Sequence, residues 1–260
     1  MAPSADSLLK ISLVINYLTT IRPVAFNAGD GLDFILTLSM KTNRLILFAV
    51  AILSLSATAQ DLKTSGKTVD ELVPSTWHKT EAKGDLDGDG IADLAIIATP
   101  DFKQHLKVRE DGYVYNFNQP ILAIYRGNAK GGYSLWKRYD KAVAGNANEY
   151  NFISHSLNIN SRKVLKIGIE HFSSAGSYTN NSSDYLFRYQ NGDFFLIGED
   201  NEEMSRNTGE VVNVSKNYLT GKQCRTVSAA FVDSNIRPSE KWSTFKRTPL
   251  RPLGSWTMEN

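Results

Sequence analysis

The stretch Gly84–Ile97 reads GDLDGDGIADLAII. Asp85, Asp87 and Asp89 alternate with other residues, Gly90 follows, and Asp93 comes shortly after. Carboxylates this close repel one another unless a cation compensates them. With Asp85 as the first position, side-chain oxygens fall at the first, third, fifth and ninth positions, and a glycine at the sixth. This is the spacing of the first half of the calcium loop of helix–loop–helix hands. Calcium is a hard cation that takes about six to eight oxygens, and alternating carboxylates in a tight loop converge on one point. Gly90 allows the bend. Ile91 offers only its carbonyl, so its side chain is free to turn toward the core. Asp93 closes the ring, directly or through a water. Without a metal, the same spacing is a solvated acidic turn. The twelfth position is Ile96 rather than a bidentate glutamate, and the residues after it read as strand. A helix–loop–helix hand therefore does not fit.

The segment AKGDLDGDGIADLAII, residues 82–97, resembles the FG-GAP/VCBS repeats of integrin α-subunit propellers and of many bacterial exported proteins. The resemblance implies a calcium ion held between two strands. By resemblance, Asp85, Asp87, Asp89 and Asp93 are side-chain ligands and Ile91 a backbone ligand. A propeller needs repeated blades, and the sequence has no second aspartate-rich loop. What the resemblance implies is thus one Ca2+ loop in a single-copy exported protein, and not a full propeller.

The elements that must position this loop begin after a segment of another kind. From Met40 the chain reads MKTNRLILFAVAILSLSATAQ. A short basic region, an apolar run and the small residues Ala57-Thr58-Ala59 come in the order of a secretory signal. The run is shorter than the roughly 20 residues a membrane span needs. The expectation is a signal peptide over residues 40–59, cleaved near Ala59–Gln60, and a mature protein in the periplasm or outside the cell with no membrane span. Residues 1–39 are expected to be an upstream extension of a mis-called start. Residues 60–73 read as a flexible leader, with a short helix over Thr68–Leu72 as the alternative. Residues 74–260 read as a single β-rich domain.

Within that domain, ILAIYR and YSLWKRYD flank the glycine-rich turn GNAKGG. DYLFRYQ and DFFLIGE flank Asn191-Gly192, a dipeptide suited to a type I′ hairpin turn because both central residues need positive φ. From Val164 onward, Leu165, Ile167 and Ile169 alternate with Lys166, Gly168 and Glu170, the period of a half-buried strand. About ten such runs with short connections predict an all-β fold: an antiparallel meander, sandwich or partial propeller, one domain carrying one aspartate-rich loop.

The remaining chemistry is sparse. Net charge is +2 with scattered Lys and Arg, so no nucleic-acid partner is expected. Cys224 is the only cysteine, so no internal disulfide forms, and it reads as a core residue. His78, His105, His155 and His171 lack metal-pair spacing, and Ser173, Ser174 and Ser177 near His171 form no nucleophile elbow. The four tryptophans read as core anchors before they read as a carbohydrate platform. The function expected is a calcium-stabilised, non-catalytic binding or structural module of the bacterial envelope, its partner an unknown protein or glycan. The alternative is an envelope hydrolase using carboxylates such as Glu170, Asp184 or Glu199, assembled by the fold.

Overall fold

The computed structural model describes residues 60–173, 178–231 and 236–257. The expected extension, residues 1–39, and signal peptide, residues 40–59, lie outside the described residues.

The chain from Gln60 onward forms one unit, built almost wholly of antiparallel strands. The first half holds β1 (Ser65–Gly66), α1 (Val69–Leu72), β2 (His78–Gly84), β3 (Asp93–Thr99), β4 (Leu106–Val108), β5 (Val114–Asn116), β6 (Ile121–Asn128) and β7 (Gly132–Tyr139). Five of these make a sheet in the order β1-β7-β6-β3-β2, while β4 and β5 form a separate hairpin. The second half is β8 (Asn151–Ile159), β9 (Val164–Ser173), β10 (Thr179–Gln190), β11 (Asp193–Ser205), β12 (Glu210–Asn217), β13 (Lys222–Ala229) and β14 (Ser239–Thr244). These seven pair in sequence order as a meander.

The two sheets share a core. Ala95, Ile97, Leu122 and Ile124 of the first pack in one cluster with Leu165, Ile167, Phe187 and Phe194 of the second. The opposite face of the first sheet is also covered. Leu94, Ile96, Ala123 and Tyr125 meet Leu62, Val69, Leu72, Val73 and Trp77 in a second cluster. Burial on both faces explains why β3 and β6 read as near-continuous apolar runs, whereas β8 and β9 alternate. It also corrects the flexible leader in favour of the short-helix alternative, α1 at Val69–Leu72. Residues 60–73 are not loose: Thr68 caps α1 by accepting from the Glu71 amide, β1 pairs with β7, and the Tyr125 hydroxyl donates to the Lys63 carbonyl at 2.9 Å. Their apolar residues are few and unevenly spaced, so no period announced them.

The Asn191-Gly192 turn has the expected positive φ at both residues, 50° and 86°. Cys224 is buried, opposite Trp242 across β13 and β14. Trp77 and Trp256 are core residues, but Trp242 is 64% exposed.

Candidate metal centre

The aspartate loop joins β2 to β3, whose last pair is Gly84 with Asp93. Neighbouring strands thus hold both ends of the loop. Gly88 and Gly90 take φ of 94° and 84°, values an L side chain resists. Each aspartate then folds back on the main chain. Asp85 accepts from the amides of Gly88 at 2.5 Å and Gly90 at 3.2 Å. Asp87 accepts from the Asp89 amide at 3.1 Å, and Asp89 from the Ile91 amide at 2.7 Å. These turns aim one oxygen each of Asp85, Asp87 and Asp89 to within 4.8 Å of one another. All three donors are hard oxygens at the loop surface, a set that fits calcium chemistry.

Asp93 stands apart from that cluster. It is fully buried, and its two carboxylate oxygens accept from the amides of Leu86 and Gly127, each at 2.9 Å. Burial pushes its pKa up against these two amides, and the charges of Asp87 and Asp89 push the same way. Its role in this geometry is to tie the loop to β6. Leu86 is thereby drawn into the inter-sheet core. Ile91 is half-buried and lies against Gly127, where an added Cβ would meet the Ala92 carbonyl oxygen at 2.2 Å. A glycine at 127 is what lets the loop close onto β6.

Two cations, neither singled out by the sequence, neutralise part of the cluster. The Arg126 guanidinium sits 2.9 Å from the Asp87 carboxylate and 4.1 Å from the centre of the Trp136 ring. Lys163, in the turn between β8 and β9, places Nζ 3.6 Å from the Asp85 carboxylate. Partial desolvation works against ionisation of Asp85, but the Gly88 and Gly90 amides and Lys163 outweigh it and hold its pKa low. Lys163 adopts φ of 61° in a turn held by the Asn160 side chain, which accepts from the Arg162 and Val164 amides. No motif marks either cation, because each reaches the loop only through strand pairing or sheet packing.

The carboxylates considered for hydrolysis are not all brought to one place: Glu170 and Asp184 are diagonal neighbours on paired strands, and Glu199 is separated from both by the sheet. Register puts Glu199 beside Tyr185, on the face that packs inward, while Glu170 and Asp184 lie on the opposite face. Glu199 binds Lys216 at 2.6 Å. Burial opposes its ionisation, but the Lys216, Tyr218 and Asn201 partners prevail and lower its pKa. Asp184 binds Lys166 at 2.9 Å. Among the described residues no helix is long and apolar enough to cross a membrane.

Comparison with curated proteins finds no match, and comparison with solved structures finds none either. The family comparison does find one: residues 80–117, from within β2 through the aspartate loop, β3 and the β4–β5 hairpin, match the FG-GAP repeat, in a single copy.

Proposed function

We propose that this chain is an exported β module of the bacterial envelope, stabilised by calcium at the Asp85–Asp93 loop, which acts by binding and not by catalysis. The observation that carries the reading is the convergence of Asp85, Asp87 and Asp89 within a segment that matches a repeat whose members commonly bind calcium. Asp85, Asp87 and Asp89 supply carboxylate oxygens, and the Ile91 carbonyl is the backbone donor. Asp93 holds the loop in register from behind, and reaches the ion only by giving up an amide or through a water. The ion supplies charge neutralisation and a rigid link between β2 and β3. Export rests on the signal-like order of residues 40–59.

The test is thermal unfolding of the full chain at micromolar and at millimolar calcium, beside Asp89→Ala. Among the described residues Asp89 makes no ion pair, and the Ile91 amide it accepts from is at the surface, where water can replace the carboxylate, so its loss costs the apo fold little. With affinity in the range of extracellular modules, millimolar calcium stabilises the wild type by about 1–2 kcal/mol, or roughly 3–6 °C, and Asp89→Ala abolishes the shift. An unchanged wild-type midpoint at millimolar calcium rejects the reading.

A further inference from the structure

At the end of β2 away from the aspartate loop, roughly 20 Å along the strand, the space between the two sheets opens to solvent. β2 and β8 touch where Ile159 crowds Gly84, closely enough that a Cβ there would meet Ile159 at 2.5 Å. Toward His78 they part around a groove of about 430 Å³, the size of a small-ligand site. The inner face of the first sheet changes character along the way. Ala95 and Ile97 belong to the shared core, but the next inward pair is His78 with Thr99, and Thr80 lies opposite Ile97. Ile153 and His155 of β8 form the far wall, and Tyr113 and Tyr115 of β5 and its approach form the roof.

We infer that this groove binds a neutral carbohydrate. Three features select that chemistry. First, the His78 imidazole and the Thr80 and Thr99 hydroxyls make no hydrogen bond among the described residues, although all three line the groove. Hydroxyls both donate and accept, as a sugar's own hydroxyls do. His78 is exposed and the two threonines are half-buried, so all three are open to a ligand from the solvent side. Second, His155 uses Nε2 to donate to the Ala144 carbonyl at 2.7 Å, which leaves Nδ1 of the neutral ring as an acceptor. Third, the groove has no lysine, arginine, aspartate or glutamate in its lining, and its aromatic rings are contiguous. Tyr113 lies 4.9 Å from Tyr115, which lies 6.3 Å from Phe152. Tyr113 is 51% exposed, so a ring surface is available for the C–H face of a pyranose. An acidic or basic ligand would find no counter-charge in the lining itself.

This goes beyond the calcium reading and does not depend on it. The experiment is binding of the full chain to immobilised cellohexaose, chitohexaose, maltohexaose and mannohexaose, with oligogalacturonate and a random peptide library alongside. It is run in calcium and in chelator, with the calcium-dependent melting point recorded separately. Wild type is expected to hold at least one neutral hexasaccharide in calcium. The double variant Thr80→Val, Thr99→Val keeps volume and fold and should lose about tenfold in affinity, the combined effect of two ordinary hydrogen bonds. Tyr113→Ala should weaken binding independently. Failure of every neutral sugar at millimolar concentration overturns the inference, as does stronger binding of oligogalacturonate or peptide, or sugar binding that ignores all three substitutions. A calcium melting shift that persists in any of these cases leaves the metal site standing by itself.

Discussion

Nζ of Lys163 stands 3.6 Å from a carboxylate oxygen of Asp85, so a turn of the seven-stranded sheet reaches the aspartate loop of the five-stranded one. The ammonium also occupies the space over Gly88, where an added Cβ would meet it at 2.5 Å. A cation so placed competes with any metal for the same carboxylate. Lys163→Met keeps the stem and removes the charge. It is expected to raise calcium affinity about two- to fivefold, the range set by a partly exposed ion pair, as read by calcium titration calorimetry. Unchanged or weaker calcium binding in this variant means that Lys163 is not a competitor.

Asp93 and Asp89 should fail in different ways. Both oxygens of Asp93 accept buried amides, and Asp93→Asn sets a donor against one of them. Leaving that amide unsatisfied costs about 1–3 kcal/mol. The loss is expected at every calcium concentration, measured as a lower urea midpoint in chelator as well as in calcium. Asp89→Ala should lower the midpoint only in calcium. If Asp93→Asn loses stability in calcium alone, its carboxylate is a ligand before it is a tie to β6.

The contrast shows what a sequence can and cannot carry. The loop, its glycines and the hairpins around Asn191-Gly192 and GNAKGG are local, and local spacing states them. Strand alternation at Leu165, Ile167 and Ile169 states the inward face of β9. Pairing between sheets has no such signature. Arg126 reads as one more polar residue ending an apolar strand, yet it bridges Asp87 and Trp136. In residues 60–73 the short helix at Val69–Leu72 is legible but its packing is not: the apolar positions cover the outer face of β3 and β6, and no single period connects them. In the sequence Gly127 opens the glycine-rich turn, and only the Ala92 carbonyl beside it shows why a side chain there would not fit.

His155 predicts acid sensitivity. Burial holds its pKa below the ordinary 6.5, the bond to the Ala144 carbonyl opposes that, and nearby His78 and His171 add to the lowering. Burial lowers His171 likewise. A folded pKa below the unfolded one means the unfolded chain binds protons first as pH falls. Stability from these neutral rings is therefore complete above about pH 6.5 and declines below it. His155→Gln retains an amide donor for Ala144 and removes the titration. The fall in melting temperature between pH 7.5 and pH 5 should be smaller in His155→Gln than in wild type. Equal falls would assign the acid sensitivity to other groups.

The C-terminal segment closes the core, and its loss should unfold the shared layer rather than trim an end. The Leu196 amide donates to the Arg251 carbonyl at 2.9 Å, and Phe195 bridges to Pro252, so the segment runs beside β11 before β12 begins to pair there. It delivers Leu253 and Trp256 to the inter-sheet cluster, with the Trp256 ring 4.7 Å from Tyr185 and 5.1 Å from Phe187. Both contacts are edge-on, the arrangement aromatic rings prefer. Trp256→Ala should cost about 3–5 kcal/mol, seen as a lower urea midpoint with an unchanged slope. The calcium-induced shift should persist, because the Trp256 ring packs on Tyr185 and Phe187 of β10 and supplies none of the loop's carboxylates. A cost below about 1 kcal/mol, the size of an ordinary surface change, would mean that the segment rests on the sandwich without sealing it.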